Sequence, residues 1–192
     1  MEPDRVVSSV RSENKGIWFV TARRLLVERY PRELEAAISA MPREHRSALA
    51  EPLASHWYPE EALQAAMSAV FGVVARSDKD VMTGLLEECT VIGVNHFFRI
   101  ALRLTTTTFA LRMIPVAWDH LRRGPGAVKV GIEGRIAYVE YQTFPYFDDL
   151  NYRLLVLGTL RPLLRLSTGR APDVEIEKYT KDSLRAIVRF SP

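Results

Sequence analysis

The residues of this chain best suited to hold a metal or to act as a nucleophile are four histidines and one cysteine. His45, His56, His96 and His120 stand more than four residues apart, and Cys89 has no second cysteine. Structural and catalytic zinc sites draw on closely spaced ligand pairs, so this pattern predicts no metal. No G-x-S-x-G elbow presents a serine, and Gly124-Pro125-Gly126 matches neither a P-loop nor a dinucleotide fingerprint. The carboxylate neighbours Glu60–Glu61, Glu87–Glu88 and Asp148–Asp149 point about 100° apart on a helix, which suits dipole partners and solvated faces better than an acid–base pair. No enzyme signature survives, and no cofactor is expected.

Cys89 and His96 share one helical stripe. A free cysteine there reads as a small inert hydrophobe, with a reactive or acylated thiol as the sharper alternative. His96 reads as a core histidine bonded to a carbonyl, or as a pocket or haem ligand. Phe97, Phe98, Phe109, Trp118, Tyr138 and Tyr141 are the aromatic residues around the same region. They either fill a core or line an apolar cavity for a small hydrophobic ligand. In the second reading the lining is Cys89, His96, Phe97, Trp118 and Tyr138.

The elements that must position these residues follow from periodicity. Gly16 to Tyr30 has helical spacing at Ile17, Val20, Leu25 and Val27, and Pro31 ends that helix and opens the next. A polar helical piece covers residues 43–56, and Pro59 takes a first helical position before Glu60 and Glu61. Ser77 is the expected cap of the longest helix, which runs to about Leu104. Val81, Leu85, Cys89, Ile92, His96 and Ile100 form its continuous apolar stripe. One of Thr105 to Thr108 caps the helix bearing Trp118, and Pro115 kinks that helix or marks its start.

Beyond Gly126 the period becomes two. The run 127–132 and the run 135–142 flank Glu133-Gly134, with Ile132 set against Arg135, Val130 against Ala137 and Val128 against Val139. A helix then starts at Asp148 or Asp149, bends at Pro162 and ends at Gly169. The last two strands pair Asp173 with Arg189, Val174 with Val188, Ile176 with Ala186, Glu177 with Arg185 and Lys178 with Leu184. The fold class is α+β, with a helical layer on a four-stranded antiparallel sheet made of two β-hairpins and roofed by the long helix. Residues 1–15 read as a flexible N-terminal segment and 16–192 as a single domain.

The totals agree. The chain has 192 residues, 47% of them hydrophobic, and a net charge of +3. That size buries a sizeable core, and so mild a basic balance does not argue for nucleic acid. One cysteine fits a reducing compartment, and neither a signal core nor a membrane span is visible. The expected location is the cytoplasm.

Several stretches carry a resemblance. Tyr30-Pro31, Trp57-Tyr58-Pro59, the block from Thr107 to Gly124 with Pro115 and Trp118, and the final course from Asp173 to Phe190 resemble a paralogous family of myxobacterial proteins of unknown function. The C-terminal course also resembles 4-vinyl-reductase-type domains, which share a fold with TRAPP tethering subunits and are distant in layout from haem nitric-oxide sensors. The resemblance implies a helical layer on an antiparallel sheet, a homodimer or other protein partner, and an apolar pocket that relays a signal. The cysteines common in the final hairpin of 4-vinyl-reductase-type domains are absent here, and so is the Y-x-S-x-R porphyrin clamp of haem sensors. Haem is therefore disfavoured. Two readings result: a non-enzymatic sensory or regulatory domain that binds a hydrophobic molecule or a partner, and a structural interaction module with a solid core.

Overall fold

Proline and glycine divide the chain much as its periodicity predicts. The computed structural model describes residues 11–97, 106–170 and 172–190, with the backbone alone at 95–97 and 168. In chain order the elements are β1 (Glu13–Lys15), α1 (Ile17–Arg29), α2 (Pro31–Ala40), α3 (Arg46–Ala50), β2 (Trp57–Pro59), α4 (Glu60–Val73) and α5 (Lys79–Phe97). Then come α6 (Thr107–Arg112), α7 (Ile114–Leu121), β3 (Arg122–Arg123), β4 (Ala127–Glu133), β5 (Ile136–Gln142), α8 (Leu150–Thr168), β6 (Asp173–Tyr179) and β7 (Leu184–Arg189). Pro115 does mark a start: the backbone breaks at Met113, and α7 carries the proline in its first turn. Thr106 caps α6 by accepting from the Phe109 amide, and Asp149 caps α8 by accepting from the Asn151 amide. Gly169 closes α8 at φ 70°, a left-handed position that glycine takes without strain.

The two predicted hairpins fuse into one antiparallel sheet, ordered β4-β5-β7-β6. Their registers differ in detail from expectation. Ile132 faces Ala137, Val130 faces Val139 and Val128 faces Tyr141. The turn residues are Gly134 and Arg135 rather than Glu133 and Gly134, because Gly134, at φ 61°, fits the first central position of a II′-type turn. The slip is by two residues, so the same side chains still face the core. In the second hairpin the expected pairs hold from Asp173 to Ile176, after which a bulge sets Lys178 against Arg185 and Tyr179 against Leu184. Val128, Ala137, Val139, Tyr141, Val174, Leu184, Ala186 and Val188 are buried on one face.

Helices cover that face in an arrangement periodicity alone does not specify. It is α8 that lies on β6, while α5 packs chiefly on α8 and α1, so the long helix is a second layer and not the roof of the sheet. Its cap is Asp78, whose Oδ1 accepts from the amides of Asp80 and Val81, whereas Ser77 sits at φ 62°. Val81 is exposed, and Met82, Leu85, Leu86 and Cys89 form the buried stripe. Residues 98–104 of the expected helix lie outside those described. At the end of the segment expected to be flexible, β1 (Glu13–Lys15) pairs between β2 and β3 in a second, three-stranded sheet.

Close contact between α5 and α8 depends on Gly158. A Cβ there would stand 2.5 Å from Leu86 Cβ and 3.3 Å from the Glu87 amide nitrogen, and Thr90 Oγ1 donates to the Gly158 carbonyl at 3.0 Å. Substituting Gly158→Ala forces the two helices apart and is expected to cost about 1–3 kcal/mol, read as a lowered urea midpoint at unchanged slope.

Candidate functional site

The three-stranded sheet brings together polar residues that the sequence scatters. Alternation along β1 turns Asn14 inward and Glu13 and Lys15 outward. Asn14 donates through Nδ2 to the carbonyls of Tyr58 and Pro59 at 3.3 Å. Pro59, in an extended conformation, stops β2 and hands the chain to α4, and the Glu60 amide donates to the Ser12 carbonyl at 2.9 Å.

Glu60 is completely buried. Its carboxylate pairs with the Arg122 guanidinium, itself buried at the start of β3, and Oε1 accepts from the Tyr152 hydroxyl at 2.8 Å. Three separate parts of the chain thus converge: the N-terminus of α4, the exit of α7 and the first turn of α8. The positive end of the α4 dipole favours a carboxylate at this position. Around the pair lies an aromatic shell. The Arg122 guanidinium carbon is 4.8 Å from the ring centres of both Trp118 and Phe144, where ring quadrupoles attract a desolvated cation. Trp118 meets Tyr141 and Phe144 edge-on at 5.5 and 5.1 Å, and Phe144 meets Tyr152 at 5.5 Å. Burial, then the neighbouring Glu60 charge, pushes the Tyr152 hydroxyl far above the usual phenol range, which keeps it a donor. Burial raises Tyr141 in the same direction.

The pocket residues predicted from sequence separate. Trp118, half-buried, belongs to this cluster, and a Cβ on Gly126 would come within 3.1 Å of its ring. Tyr138 lies on the opposite face of the sheet, under the Arg185 guanidinium at 4.1 Å, because neighbours on a strand point to opposite sides. Cys89 is buried in α5, in the layer formed with α8 and α1. The side chains of His96 and Phe97 lie outside the described residues. Glu60, Arg122, Phe144 and Tyr152 escaped sequence reasoning: nothing local distinguishes Glu60 from Glu61 or Arg122 from Arg123.

Other chemistry is sparse in what is described. No group of three or more His, Cys, Asp or Glu among the described residues could hold a metal ion. No helix among them is long and apolar enough to cross a membrane. Two open surface depressions stand out, one along α1 beside residues 50–52 and one between the end of α2 and α4. Neither is lined by Cys89, Trp118 or Tyr138.

No family model matches the chain, and no curated protein matches it. Solved structures do. It is similar to an Fe(II) unliganded H-NOX protein from K. algicida, at 11% identity and a TM-score of 0.67 over 91% of this chain and 95% of that one. An H-NOX protein from S. oneidensis in the Fe(II)NO state matches at 12% identity and TM-score 0.63, over 93% and 99%. An oxygen-binding H-NOX domain related to soluble guanylate cyclases, as its oxygen complex, matches at 11% and 0.63, over 92% and 93%. The fold is that of H-NOX domains. This corrects the resemblance read from sequence: the neighbours are H-NOX structures and not 4-vinyl-reductase-type or TRAPP-like domains, and the loose motifs quoted for a myxobacterial family carry no assignment. The final hairpin that suggested the resemblance is a general way to end an antiparallel sheet.

Two outcomes are expected of this site. Arg122→Met leaves Glu60 buried without its cation and costs about 3–5 kcal/mol, and replacing both partners by apolar residues costs much less; urea unfolding of the single and double variants checks this. Burial, with a smaller contribution from the Glu88 charge, pushes the Cys89 thiol from 9.0 up to about 12. Its protonated form therefore stabilises the fold fully below pH 9.0, and that contribution fades as pH climbs toward about 12. The stability difference between the protein and Cys89→Ala is expected to be flat to pH 9.0 and to shrink above it, with the native thiol unreactive to a disulfide reagent.

Proposed function

We propose that this chain is a non-enzymatic regulatory domain that keeps the H-NOX architecture and works by protein contact instead of through bound haem. Several neighbours of the same fold are described with Fe(II), nitric oxide, oxygen or heme, so haem is the group to test against the residues present. An iron porphyrin needs an axial base facing the core. Among the described residues His56 and His120 are exposed and His45 is half-buried, and His120 Nδ1 lies 3.0 Å from the Val116 carbonyl of its own helix; the His96 side chain lies outside the described residues. The Cys89 thiol and the Tyr141 phenol are both held protonated by burial.

The run nearest to a Y-x-S-x-R clamp is Tyr141-Gln142-Thr143-Phe144-Pro145, with proline where that pattern has arginine. Arg122, the cation that the described residues place inside the aromatic cluster, is already ion-paired with Glu60. The described residues do not fit haem. The observation that carries the reading is the Glu60–Arg122–Tyr152 lock: it ties the helical layer to the three-stranded sheet with the chain's own side chains, which suits a scaffold that transmits contact.

Protein purified from haem-supplemented cells is expected to lack Soret absorption and to show the bare polypeptide mass by native mass spectrometry. A haem adduct overturns the reading. A copurified hydrophobic compound overturns the solid-core part of it.

A further inference from the structure

The sheet that buries the lock presents a different chemistry on its other face. Asn14 and Arg122 point inward, so their strand neighbours Lys15 and Arg123 point out. Both lie over Trp57, the Arg123 guanidinium carbon 3.9 Å and the Lys15 Nζ 4.4 Å from its ring centre. Neither cation has a carboxylate within ion-pair distance among the described residues, and neither donates a side-chain hydrogen bond there. This is unusual for the chain: the other arginines that stack on aromatic rings, Arg122, Arg153 and Arg185, each have an ion-pair or hydrogen-bond partner. Exposed Arg11 adjoins the same strand end, since its carbonyl would stand 2.6 Å from a Cβ on Gly124. Glu13 faces Arg123 across the strands and forms no ion pair.

The Arg123 guanidinium, held over the Trp57 indole, loses rotamer freedom while its N–H donors stay without a hydrogen-bond partner among the described residues. That pre-organises a fork for a planar oxyanion. Trp57 is occupied by both cations, so it offers no free ring for a nucleobase to stack on, and the few charges here fall short of the run that tracks a phosphate backbone. The complementary surface is a carboxylate-bearing one. We propose that the Lys15–Trp57–Arg123 ridge docks an acidic, Asp/Glu-rich segment of a protein partner. The proposal rests on the contact-acting reading above and names where that contact falls: directly behind Arg122, one residue along the same strand from Arg123.

Fluorescence anisotropy with the full chain and a labelled hexaglutamate peptide tests it. Binding is expected at low ionic strength and is expected to weaken as salt rises. Lys15→Gln combined with Arg123→Gln is expected to lower affinity about tenfold, as loss of two exposed charge-assisted contacts does. Trp57→Leu keeps both charges and removes only the platform, for a loss of about threefold. Lys129→Gln, on the four-stranded sheet, is the control and leaves affinity unchanged. No binding by the parent protein, or equal affinity in the double variant, overturns the proposal. Tighter binding of an oligothymidylate of equal length overturns the choice of an acidic peptide. Haem in the purified protein overturns the functional reading and leaves this titration standing; an unaffected double variant in haem-free protein overturns the docking site alone.

Discussion

A carboxylate with no access to water must be neutralised where it stands, and much of this molecule is arranged around meeting that demand at Glu60. The residue opens α4, where the helix dipole assists, but a buried charge of this kind also needs a partner of opposite sign and a donor for its remaining lone pairs. Arg122 supplies the cation and Tyr152 a donor from distant parts of the chain, both at Oε1, while Oε2 has no hydrogen-bond partner among the described residues. Because removal of either charge strands the other in a low-dielectric interior, the pair constrains three elements at once. The exit of α7, the start of α4 and the first turn of α8 cannot shift independently.

The aromatic shell belongs to the same constraint. A guanidinium drawn away from water is compensated by the faces of Trp118 and Phe144, and these rings in turn occupy space between α7, the end of β5 and the start of α8. What occupies that space bears on function. The described residues close this seam with their own side chains; His56 and His120 are exposed, His45 is half-buried, and Cys89 and Tyr141 are held protonated. A scaffold of the H-NOX fold can therefore be held rigid by an internal ion pair. The three-stranded sheet has two faces with two tasks, a sealed one that locks the layers and an open one bearing cations in search of a counter-charge.

Much of the architecture was legible because it obeys local rules. Period-two runs identified both hairpins, with a glycine able to adopt positive φ marking the turn of the first and matched cross-strand charges supporting the second, and the register error in the first was even, which preserved the buried face. Proline positions marked the starts of α2 and α7, and Asp149 and Gly169 bounded α8. Local rules failed where two candidates of equal propensity adjoin. Ser77 and Asp78 can each cap a helix, and the backbone chose the aspartate. The long apolar stripe of α5 correctly signalled a buried helix, yet periodicity is silent on which neighbour buries it, and the answer was α8 in place of the sheet.

What the amino-acid order determined by itself is the set of helices and strands and the faces they bury, because those depend on side-chain spacing and on the backbone preferences of glycine, proline and capping residues. Only the tertiary structure decided which polar residues leave solvent together. Glu60 and Glu61, like Arg122 and Arg123, are chemically identical neighbours. Their opposite fates follow from strand alternation and helix phase acting across gaps of tens of residues, where proximity depends on packing and no local signal exists.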